Sequence, residues 1–418
     1  MKFYKIFLTL AILFLSFNHI VLADDENEEV LDYISPLVET STSISNIPII
    51  NSKAAIIYER LTGSILFGKN ENEKRKMAST TKIMTAIIVI ENCNLDDIIT
   101  ISSEAAGTGG SRLGLKTNDK ISIRDLLYGL MLCSGNDAAV ALAEHVGSNL
   151  EGFASLMNKK CDLLGLTSTR FVTPHGLDND DHYTTAYELA VITNYALKNE
   201  IFCNYVATKT YTISINGHSK ILYNTNELLG NFNGVYGVKT GFTNGANRCL
   251  VTAVKRDNMD LICIVLGADT KKDRTQDSIK LIEYAFQQFK MVNIREKIMT
   301  EFDNWKMCNL SSFTVEKGIT NTIDVVLANL PFDFFPVDCN QTNDVSIYIY
   351  CNTSFEAPLK ANSSIGYLTV SINNKNILSL DIYNSNSIPQ KNFMDFWNEI
   401  IKDYIYHLET LLYKKSLF

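Results

Sequence analysis

The sequence predicts an α+β fold, in which one antiparallel sheet is flanked by helices, followed by a second, small all-β domain. Three observations predict this class. The chain of 418 residues is longer than one average domain. Its first part has the pattern of two strands, a helical block, three further strands and a closing helix. From residue 291 to residue 388 the pattern changes to short β-rich runs separated by Asn, Ser and Thr.

The N-terminus has the pattern of a secretory signal peptide. Residues 1–23 begin with lysines, continue as a short apolar run and end in a small residue, Ala23. This pattern is typical of a segment that is removed on export, whereas a retained membrane helix, the alternative, needs a longer apolar span. Residues 24–52 are acidic and then rich in Ser, Thr and Asn. We therefore expect a loosely ordered lead-in before a folded domain at 53–290.

Composition argues against several classes of function. Hydrophobic residues make up 46% of the chain and charged residues 20%, which is an ordinary globular balance. The net charge is −8 and becomes more negative without the lysine-containing signal segment, which argues against nucleic acid as a partner. The nine cysteines are odd in number and show no Cys-x-x-Cys zinc spacing. Most lie in apolar runs, where cysteine behaves as a small hydrophobic residue. Whether Cys339 and Cys351 form a disulfide stays open.

The elements of the first domain follow from periodicity and turn residues. Two strands, Ala54–Glu59 and Ser64–Gly68, flank a turn that ends in Gly63. Helices are predicted next, over Ser79–Asn92, as two separate helices within Ile123–Val146, and over Leu150–Leu164. Three strands follow, over Val238–Thr243, Arg248–Lys255 and Asp260–Gly267, and a helix over Arg274–Lys290 ends the domain. One antiparallel sheet covered by helices accounts for this order.

The C-terminal segment, 390–418, has the periodicity of an amphipathic helix. Apolar side chains recur at helical spacing from Phe393 to Leu412 and include Trp397 and Tyr404, while polar residues fill the other face. The segment is too polar to cross a bilayer. It is therefore expected to lie in a membrane interface, with a helix packed onto the β domain as the alternative.

The strongest local signal is Ser79 followed by Lys82 at the start of an apolar helix. Because they stand one helical turn apart, the hydroxyl and the amine share a face and can touch. A serine at a helix start also brings backbone N–H groups and the positive end of the helix dipole beside a developing oxyanion. The apolar residues after Lys82 predict that it is buried and that its pKa is lowered toward that of a useful base. Alone, the pattern also fits an N-cap serine and a surface lysine.

Two further motifs strengthen the indication that Ser79 and Lys82 are catalytic. Ser134 and Asn136 interrupt a helical run at an apolar corner, although a plain turn between helices has the same pattern. Lys239 and Thr240 lie in a predicted strand, and Gly241 would let a substrate backbone lie against it; a solvated lysine is the alternative. In this order, Ser-x-x-Lys, Ser-x-Asn and Lys-Thr-Gly form the set found in penicillin-binding proteins and β-lactamases.

The sequence around these motifs resembles the low-molecular-mass penicillin-binding D-alanyl-D-alanine carboxypeptidases. Four runs carry the resemblance: Met77–Glu91, Leu126–Ala139, Thr173–Asp178 and Gly237–Thr243. It extends from about residue 53 to the C-terminus and is fainter in the β domain. It implies a fold like that of β-lactamases and transpeptidases, an exported enzyme at the outer face of the cytoplasmic membrane, and a C-terminal helix that binds the membrane surface.

The resemblance also implies the chemistry of the first two motifs. Ser79 would attack the D-Ala-D-Ala amide of a peptidoglycan stem peptide while Lys82 accepts its proton. Ser134 would relay a proton to the leaving amine, and Asn136 would hold the side of the substrate. Water would then release the acyl-enzyme, β-lactams would act as inhibitors, and no metal or cofactor is implied.

The third motif is expected to bind the end of the substrate. By the same resemblance, Lys239 would supply positive potential and Thr240 would bind the terminal carboxylate. Gly241 would lie along the substrate. The oxyanion would lie between the backbone N–H groups of Ser79 and Phe242.

Some positions depart from the family pattern. The pair at 247 and 248, Asn-Arg, differs from the usual Gly-Tyr, and Met77 replaces a frequent proline, which puts loop geometry in doubt rather than activity. His175, Asp178 and His182 are expected to form a structural framework for their loop rather than to take part in catalysis.

Three other functions remain to be weighed against a carboxypeptidase. A β-lactamase needs an efficient deacylating base, and no Glu-x-x-Leu-Asn run stands between Glu151 and Asp180. A DD-endopeptidase, the nearest rival, would use the same chemistry on a cross-link. A non-catalytic wall-binding module is disfavoured by the intact motif residues.

Overall fold

The computed structural model of the protein describes residues 47–341 and 344–415, with the side chains of the last helix as far as residue 410. The predicted signal peptide and most of the predicted lead-in lie outside the described residues. The chain divides into two compact units, one ending at Lys290 and the other beginning at Met291. Each unit has its own hydrophobic core.

The first unit alternates between strands and helices. In chain order its elements are β1 (Ala54–Glu59), β2 (Ile65–Lys69), α1 (Lys82–Asn92), β3 (Ile98–Thr100), α2 (Ser103–Gly107), β4 (Lys120–Ser122), α3 (Ile123–Leu132), α4 (Asn136–Gly147), α5 (Leu150–Leu163), α6 (Ala186–Ala196), α7 (Glu200–Ala207), β5 (Thr210–Ile215), β6 (His218–Tyr223), β7 (Val235–Thr243), β8 (Asn247–Arg256), β9 (Met259–Ala268) and α8 (Lys271–Gln288). Strand β10 (Phe289–Asn293) then runs across the boundary between the units.

Five of these strands form the central antiparallel sheet, in the order β2-β1-β9-β8-β7. The predicted antiparallel sheet flanked by helices is therefore confirmed. Strand β1 pairs with β9, which joins the first hairpin to a strand more than two hundred residues later in the chain. Strands β1 and β9 are almost wholly buried, because helices cover both faces. Strand β7 lies at an edge of the sheet.

Polar residues in the sequence determine where several helices begin. The side-chain oxygens of Ser122, Asn149 and Thr185 each accept a hydrogen bond from the backbone N–H three residues on. Such N-caps satisfy N–H groups that have no partner inside the helix. The two helices predicted within Ile123–Val146 are present and are separated by the residues from Cys133 to Gly135. Asn136, expected to interrupt the helical run, is instead the first residue of the second helix, which ends at Gly147.

The helix predicted over Ser79–Asn92 begins later than expected. Residues Ala78–Thr81 form a 3₁₀ turn, and α1 starts at Lys82. The hydroxyl of Thr80 donates to the carbonyl of Met77, and that of Thr81 donates to the carbonyl of Ala78. These bonds to the third residue back favour the tighter 3₁₀ winding.

The end of the lead-in is fixed rather than loose. Ser52 is fully buried, and both its backbone N–H and its hydroxyl donate to Oδ2 of Asp277 in α8, at 2.7 and 2.6 Å. Ile50 is also buried. The expectation of a loosely ordered segment as far as residue 52 is therefore wrong for its last residues, because a buried carboxylate holds them.

The second unit is β-rich but not free of helix. Its elements after β10 are α9 (Arg295–Asn309), β11 (Thr314–Glu316), β12 (Val325–Leu327), β13 (Phe334–Asp338), β14 (Val345–Cys351), β15 (Ser354–Glu356), β16 (Ser364–Ile372), β17 (Lys375–Asn384) and α10 (Phe393–Lys415). Strands β12, β17, β16 and β14 form an antiparallel sheet in that order, and β11 pairs in parallel with β15.

Helix α9 corrects the expectation that the segment from 291 to 388 is entirely β. Its buried side chains are Ile298 and Phe302, and Trp305 packs beside them against the core. These three stand at i, i+4 and i+7, the spacing of one helical face. The pattern is present in the sequence, but the polar residues between the three apolar ones obscure it.

The cysteine pair left open by the sequence is not formed. All nine cysteines lie among the described residues and are free. Cys339 is exposed, whereas Cys351 packs against the core of the second unit and its thiol donates to the carbonyl of Ile365. The question left open by the sequence is therefore answered against a disulfide, and the two side chains lie in different environments.

Helix α10 leaves its apolar side chains exposed. Phe393 is 75% exposed, Trp397 51% and Ile400 62%, and the other apolar side chains as far as Leu408 are exposed as well. At its start the side chain of Asn392 accepts from the N–H of Asp395, whose carboxylate accepts from the N–H of Asn392. None of the helices in the described ranges has an apolar run long enough to cross a membrane.

Candidate active site

Ser79 and Lys82 are in contact, as the sequence predicted. Lys82 Nζ lies 2.9 Å from Ser79 Oγ. The lysine is fully buried at the first position of α1, whereas the serine is half-buried in the 3₁₀ turn before it. The hydroxyl of Ser79 is therefore accessible, whereas the amine of Lys82, the candidate base, is shielded from water.

The other contacts of Lys82 determine what its amine can do. Nζ lies 2.7 Å from Oδ1 of Asn136 and 2.9 Å from the backbone carbonyl of His175. Both of these oxygens can only accept hydrogen bonds, whereas the hydroxyl of Ser79 can also donate. A neutral amine can therefore donate to the two oxygens and direct its lone pair at the proton of Ser79, which is the geometry of a general base.

The second motif lies at the junction of α3 and α4. Ser134 has a backbone φ of +58° and is 3% exposed, and its hydroxyl is buried without a hydrogen-bond partner among the described residues. Asn136 is held on both sides of its amide, since Oδ1 accepts from Lys82 and Nδ2 donates to the carbonyl of Gly109 at 2.8 Å. A buried hydroxyl without a partner is uncommon in proteins, and a catalytic role is one of the explanations for it.

Asp137 holds the loop beside the second motif, and sequence reasoning did not assign it a role. It is fully buried at the start of α4. Its carboxylate accepts backbone N–H groups from Leu113, Gly114 and Leu115, at 2.8, 2.7 and 3.0 Å. An acid directly after the Ser-x-Asn motif, in an apolar run, is the signal that could have predicted a buried carboxylate.

The third motif lies on the edge strand β7 and contacts the turn of Ser79. A side-chain carbon at Gly241 would lie 3.1 Å from the backbone nitrogen of Ser79 and 3.2 Å from the carbonyl of Met77. The strand and the turn approach so closely that any side chain there would crowd the turn, which favours glycine. Lys239 is 1% exposed and its Nζ donates to the carbonyl of Thr240 at 3.1 Å. The structure therefore brings the first and third motifs together.

Phe242 lies at the mouth of a cavity of about 220 Å³ that contains Ser79. The cavity is lined by Ser79, Gly110, Ser111, Asn136, Gly176, Leu177, Asp178, Phe242, Thr243 and Asn244. The guanidinium of Arg248 lies 3.8 Å from the centre of the Phe242 ring, a cation–π distance. Strand β8 begins at Asn247, with φ +60°, and pairs with Thr243. The unusual pair at 247 and 248 therefore continues the hairpin and supports Phe242.

The loop from 172 to 182 forms the predicted framework. His182 Nδ1 accepts from the N–H of Val172 at 3.0 Å, which leaves Nε2–H to donate to the hydroxyl of Thr81 at 2.8 Å. Gly176 has φ +87°, and a side-chain carbon there would lie 1.9 Å from the carbonyl of Ala78. Asp178 accepts from the hydroxyl of Thr243. The loop is thus fastened to the Ser79 turn and to β7.

The two framework histidines are neutral at physiological pH. Burial, reinforced by the charge of Lys82, lowers the pKa of His175 to about 3. Burial also lowers the pKa of His182 to about 4, although Asp178 opposes the shift. Neutral rings are required by the contacts, because both Nδ1 atoms accept backbone N–H groups.

Comparison with known proteins assigns the family. A family model described as D-alanyl-D-alanine carboxypeptidase matches residues 40–270, and one described as the C-terminal domain of penicillin-binding protein 5 matches residues 309–390. The chain is 31% identical to D-alanyl-D-alanine carboxypeptidase DacF of Bacillus subtilis, over 84% of this chain and 90% of DacF. It is 29% identical to DacA of Escherichia coli K12, over 88% of this chain and 91% of DacA.

Solved structures agree with these matches. Penicillin-binding protein 5 from Haemophilus influenzae has a TM-score of 0.69 at 27% identity and covers 84% of this chain and 100% of its own. The DD-transpeptidase of Streptomyces K15 has a TM-score of 0.56 at 36% identity, over 57% of this chain and 98% of its own. Fold and matches define a serine hydrolase of the penicillin-binding class. The chain belongs to the D-alanyl-D-alanine carboxypeptidase family.

Proposed function

We propose that this chain removes the terminal D-alanine from peptidoglycan pentapeptides through an acyl-enzyme on Ser79. The observation that carries the proposal is the 2.9 Å contact between Ser79 Oγ and Lys82 Nζ, with the amine held by two oxygens that can only accept. Membership of the D-alanyl-D-alanine carboxypeptidase family supports the substrate.

Acylation begins when Ser79 attacks the carbonyl of the D-Ala-D-Ala bond and Lys82 takes the hydroxyl proton. The carbonyl oxygen becomes negative and is stabilised by the backbone N–H groups of Ser79 and Phe242. Ser134, whose buried hydroxyl has no hydrogen-bond partner among the described residues, gives its proton to the leaving amine and regains one from Lys82, so that the proton taken from Ser79 ends on D-alanine. D-Alanine then departs, and the rest of the peptide stays esterified to Ser79.

Substrate binding uses the edge of the sheet and the second motif. The peptide lies along β7, where Gly241 allows its backbone to approach the Ser79 turn. Asn136 binds the peptide from the opposite side. The hydroxyl of Thr240 binds the terminal carboxylate, and buried Lys239 supplies positive potential for the same group.

Water releases the acyl group and restores Ser79. A β-lactam imitates the D-Ala-D-Ala bond, is opened by the same nucleophile and stays bound as an inhibitor when water attacks it slowly. A DD-endopeptidase on the same site is the second candidate, because cutting a cross-link uses the same acylation. The names of the curated relatives favour the carboxypeptidase.

We also propose that the mature enzyme is exported and lies on the outer face of the cytoplasmic membrane, bound by helix α10. The exposed apolar side chains from Phe393 to Leu408 support this, since such a stripe suits a bilayer interface. Removal of residues 390–418 should release the protein to the soluble fraction while the activity stays. Equal solubility of the two forms would contradict the proposal.

The test of the function is release of free D-alanine from a purified pentapeptide by the mature protein. Wild type should release one D-alanine per peptide, and Ser79→Ala should release none. Cleavage of cross-linked dimers in preference to pentapeptides would favour the endopeptidase. An inactive wild type that still binds wall polymer would favour a non-catalytic module.

A further inference from the structure

Thr225 connects two of the three motifs, although it belongs to neither. Its hydroxyl oxygen lies 2.9 Å from the hydroxyl oxygen of Thr240. Its backbone N–H donates to the carbonyl of Leu132, at the end of the helix that leads to Ser134, at 3.1 Å. Thr225 is half-buried and Thr240 is 5% exposed. The pair of threonines is therefore partly shielded from water.

The loop around Thr225 is built to hold this position. The side-chain amide of Asn224 donates to the carbonyl of Thr208, and its Oδ1 accepts from the N–H of Asn226. Oδ1 of Asn226 in turn accepts from the N–H of Leu228. Side-chain oxygens thus satisfy two backbone N–H groups after Thr225, and the backbone N–H of Asn224 before it donates to the carbonyl of Lys209, so the hydroxyl of Thr225 is presented to Thr240 by an ordered turn.

Each hydroxyl has one proton to donate, and this determines what the pair can do. A carboxylate only accepts hydrogen bonds, so the hydroxyl of Thr240 must donate its single proton to the substrate if it binds a C-terminal carboxylate. Its oxygen then accepts the proton of Thr225. A hydroxyl that accepts one hydrogen bond becomes a stronger donor in the next, so Thr225 both orients and polarises Thr240.

We propose that Thr225 is a positioning residue that makes the enzyme specific for a free C-terminal carboxylate on the leaving residue. The proposal rests on the proposed function, in which Thr240 binds that carboxylate. A neutral C-terminal amide gains less from a polarised donor than a carboxylate does, because hydrogen bonds to charged acceptors are the stronger ones. Loss of the Thr225 hydroxyl should therefore reduce activity on the acid more than on the amide.

The experiment compares two substrates that differ only at the C-terminus, an acylated D-Ala-D-Ala and its C-terminal amide. In Thr225→Val, which keeps the shape of the side chain, kcat/KM for the acid should fall about tenfold and kcat/KM for the amide less than twofold. Thr225→Ser, which keeps the hydroxyl, should restore the acid-to-amide ratio. Active sites are counted by labelled penicillin, so unfolded protein does not enter the rates.

The outcomes separate this proposal from a merely structural role. An equal fall on both substrates, or an unchanged acid-to-amide ratio, would overturn it. If Thr225→Val does not fold, Thr225→Ala is measured in its place, with the same expectation for the ratio. Failure of the proposed function shows in a different experiment, because wild type would then release no D-alanine from the pentapeptide or Ser79→Ala would still release it.

Discussion

The region around Ser79 and the last helix depart from ordinary burial in opposite directions. In the first region Lys82 and Lys239 are at most 1% exposed, although lysine is almost never fully buried. In helix α10, by contrast, Phe393 and Ile400 are 75% and 62% exposed. The buried lysines are held by hydrogen bonds, whereas the exposed apolar residues are not covered by any part of the chain that the structure describes. Both departures lie in regions for which a function is proposed: catalysis around Ser79 and membrane binding by helix α10.

The largest expected effect is at Lys82. Lys82→Arg replaces an amine that can accept a proton by a permanently protonated group, because a guanidinium does not lose its proton in proteins. The rate of acylation by a fluorescent penicillin should fall by about a factor of 10³. Lys76→Arg is the matched control, since Lys76 forms a surface ion pair with Asp180, and its rate should not change. Acylation by Lys82→Arg at the wild-type rate would mean that another group is the base.

The buried histidines make stability depend on pH. His175 and His182 have pKa values of about 3 and about 4 in the folded protein, below the ordinary value of 6.5. Below pH 6.5 the unfolded chain binds protons that the folded protein does not, so the free energy of unfolding falls on acidification. At pH 5 the loss should be about 2 kcal/mol for each histidine.

Urea unfolding of wild type and His182→Gln at pH 7 and pH 5 measures this loss. The difference between the two pH values should be about half as large in the variant, because one of the two titrating groups is gone. His218→Gln, at an exposed position in the β5–β6 hairpin, should keep the wild-type difference. An undiminished difference in His182→Gln would contradict a neutral, buried ring at that position.

The next prediction concerns the free energy that the contact between Asp137 and its loop contributes to folding. Asp137→Asn removes a charged acceptor and turns an amide toward backbone N–H groups that also donate. The free energy of unfolding should fall by about 3 kcal/mol in urea titration. Asp96→Asn, which breaks an exposed ion pair with Arg124, should leave it unchanged within error. Equal losses in the two variants would mean that burial of the carboxylate is not what stabilises the loop.

The smallest expected effect tests the exposed helix. The chain has two tryptophans: Trp397 is 51% exposed in α10, whereas Trp305 stacks on Phe302 in the second unit. Lipid vesicles should shift the fluorescence of the full chain to the blue by a few nanometres, on the order of what a tryptophan shows on entering an interface. Trp397→Phe should abolish the shift. A shift that persists in Trp397→Phe would place the lipid contact elsewhere.

Much of the fold could be predicted because local signals agree with one another. A hydrophobic period agrees with turn or cap residues in three places: the hairpin with Gly63 in its turn, the helices on either side of Ser134, and the three strands after Gly237. Helix α9 was missed because only Ile298, Phe302 and Trp305 carry its period. Whether Cys339 and Cys351 pair could not be decided from the sequence, because spacing does not show which face of β14 a cysteine occupies.

The sequence predicted contact between Ser79 and Lys82, which the structure contains, whereas the roles of the motif residues stay predictions. The sequence order of Ser79, Ser134 and Lys239 was sufficient to expect that they meet. Asp137 and Thr225 were not predicted, because their partners are backbone groups and a hydroxyl from distant segments. Contacts of this kind leave no periodicity in a sequence, so only the fold shows them.

The measurement that tests the central claim most directly is the position of the acyl group on the protein. The mature enzyme is treated with labelled penicillin and digested, and the labelled peptide is sequenced by mass spectrometry. The label should lie on Ser79, at one per chain, and Ser79→Ala should take up none. A label on Ser134 or on one of the free cysteines, or uptake by Ser79→Ala equal to that of wild type, would contradict the assignment of the nucleophile.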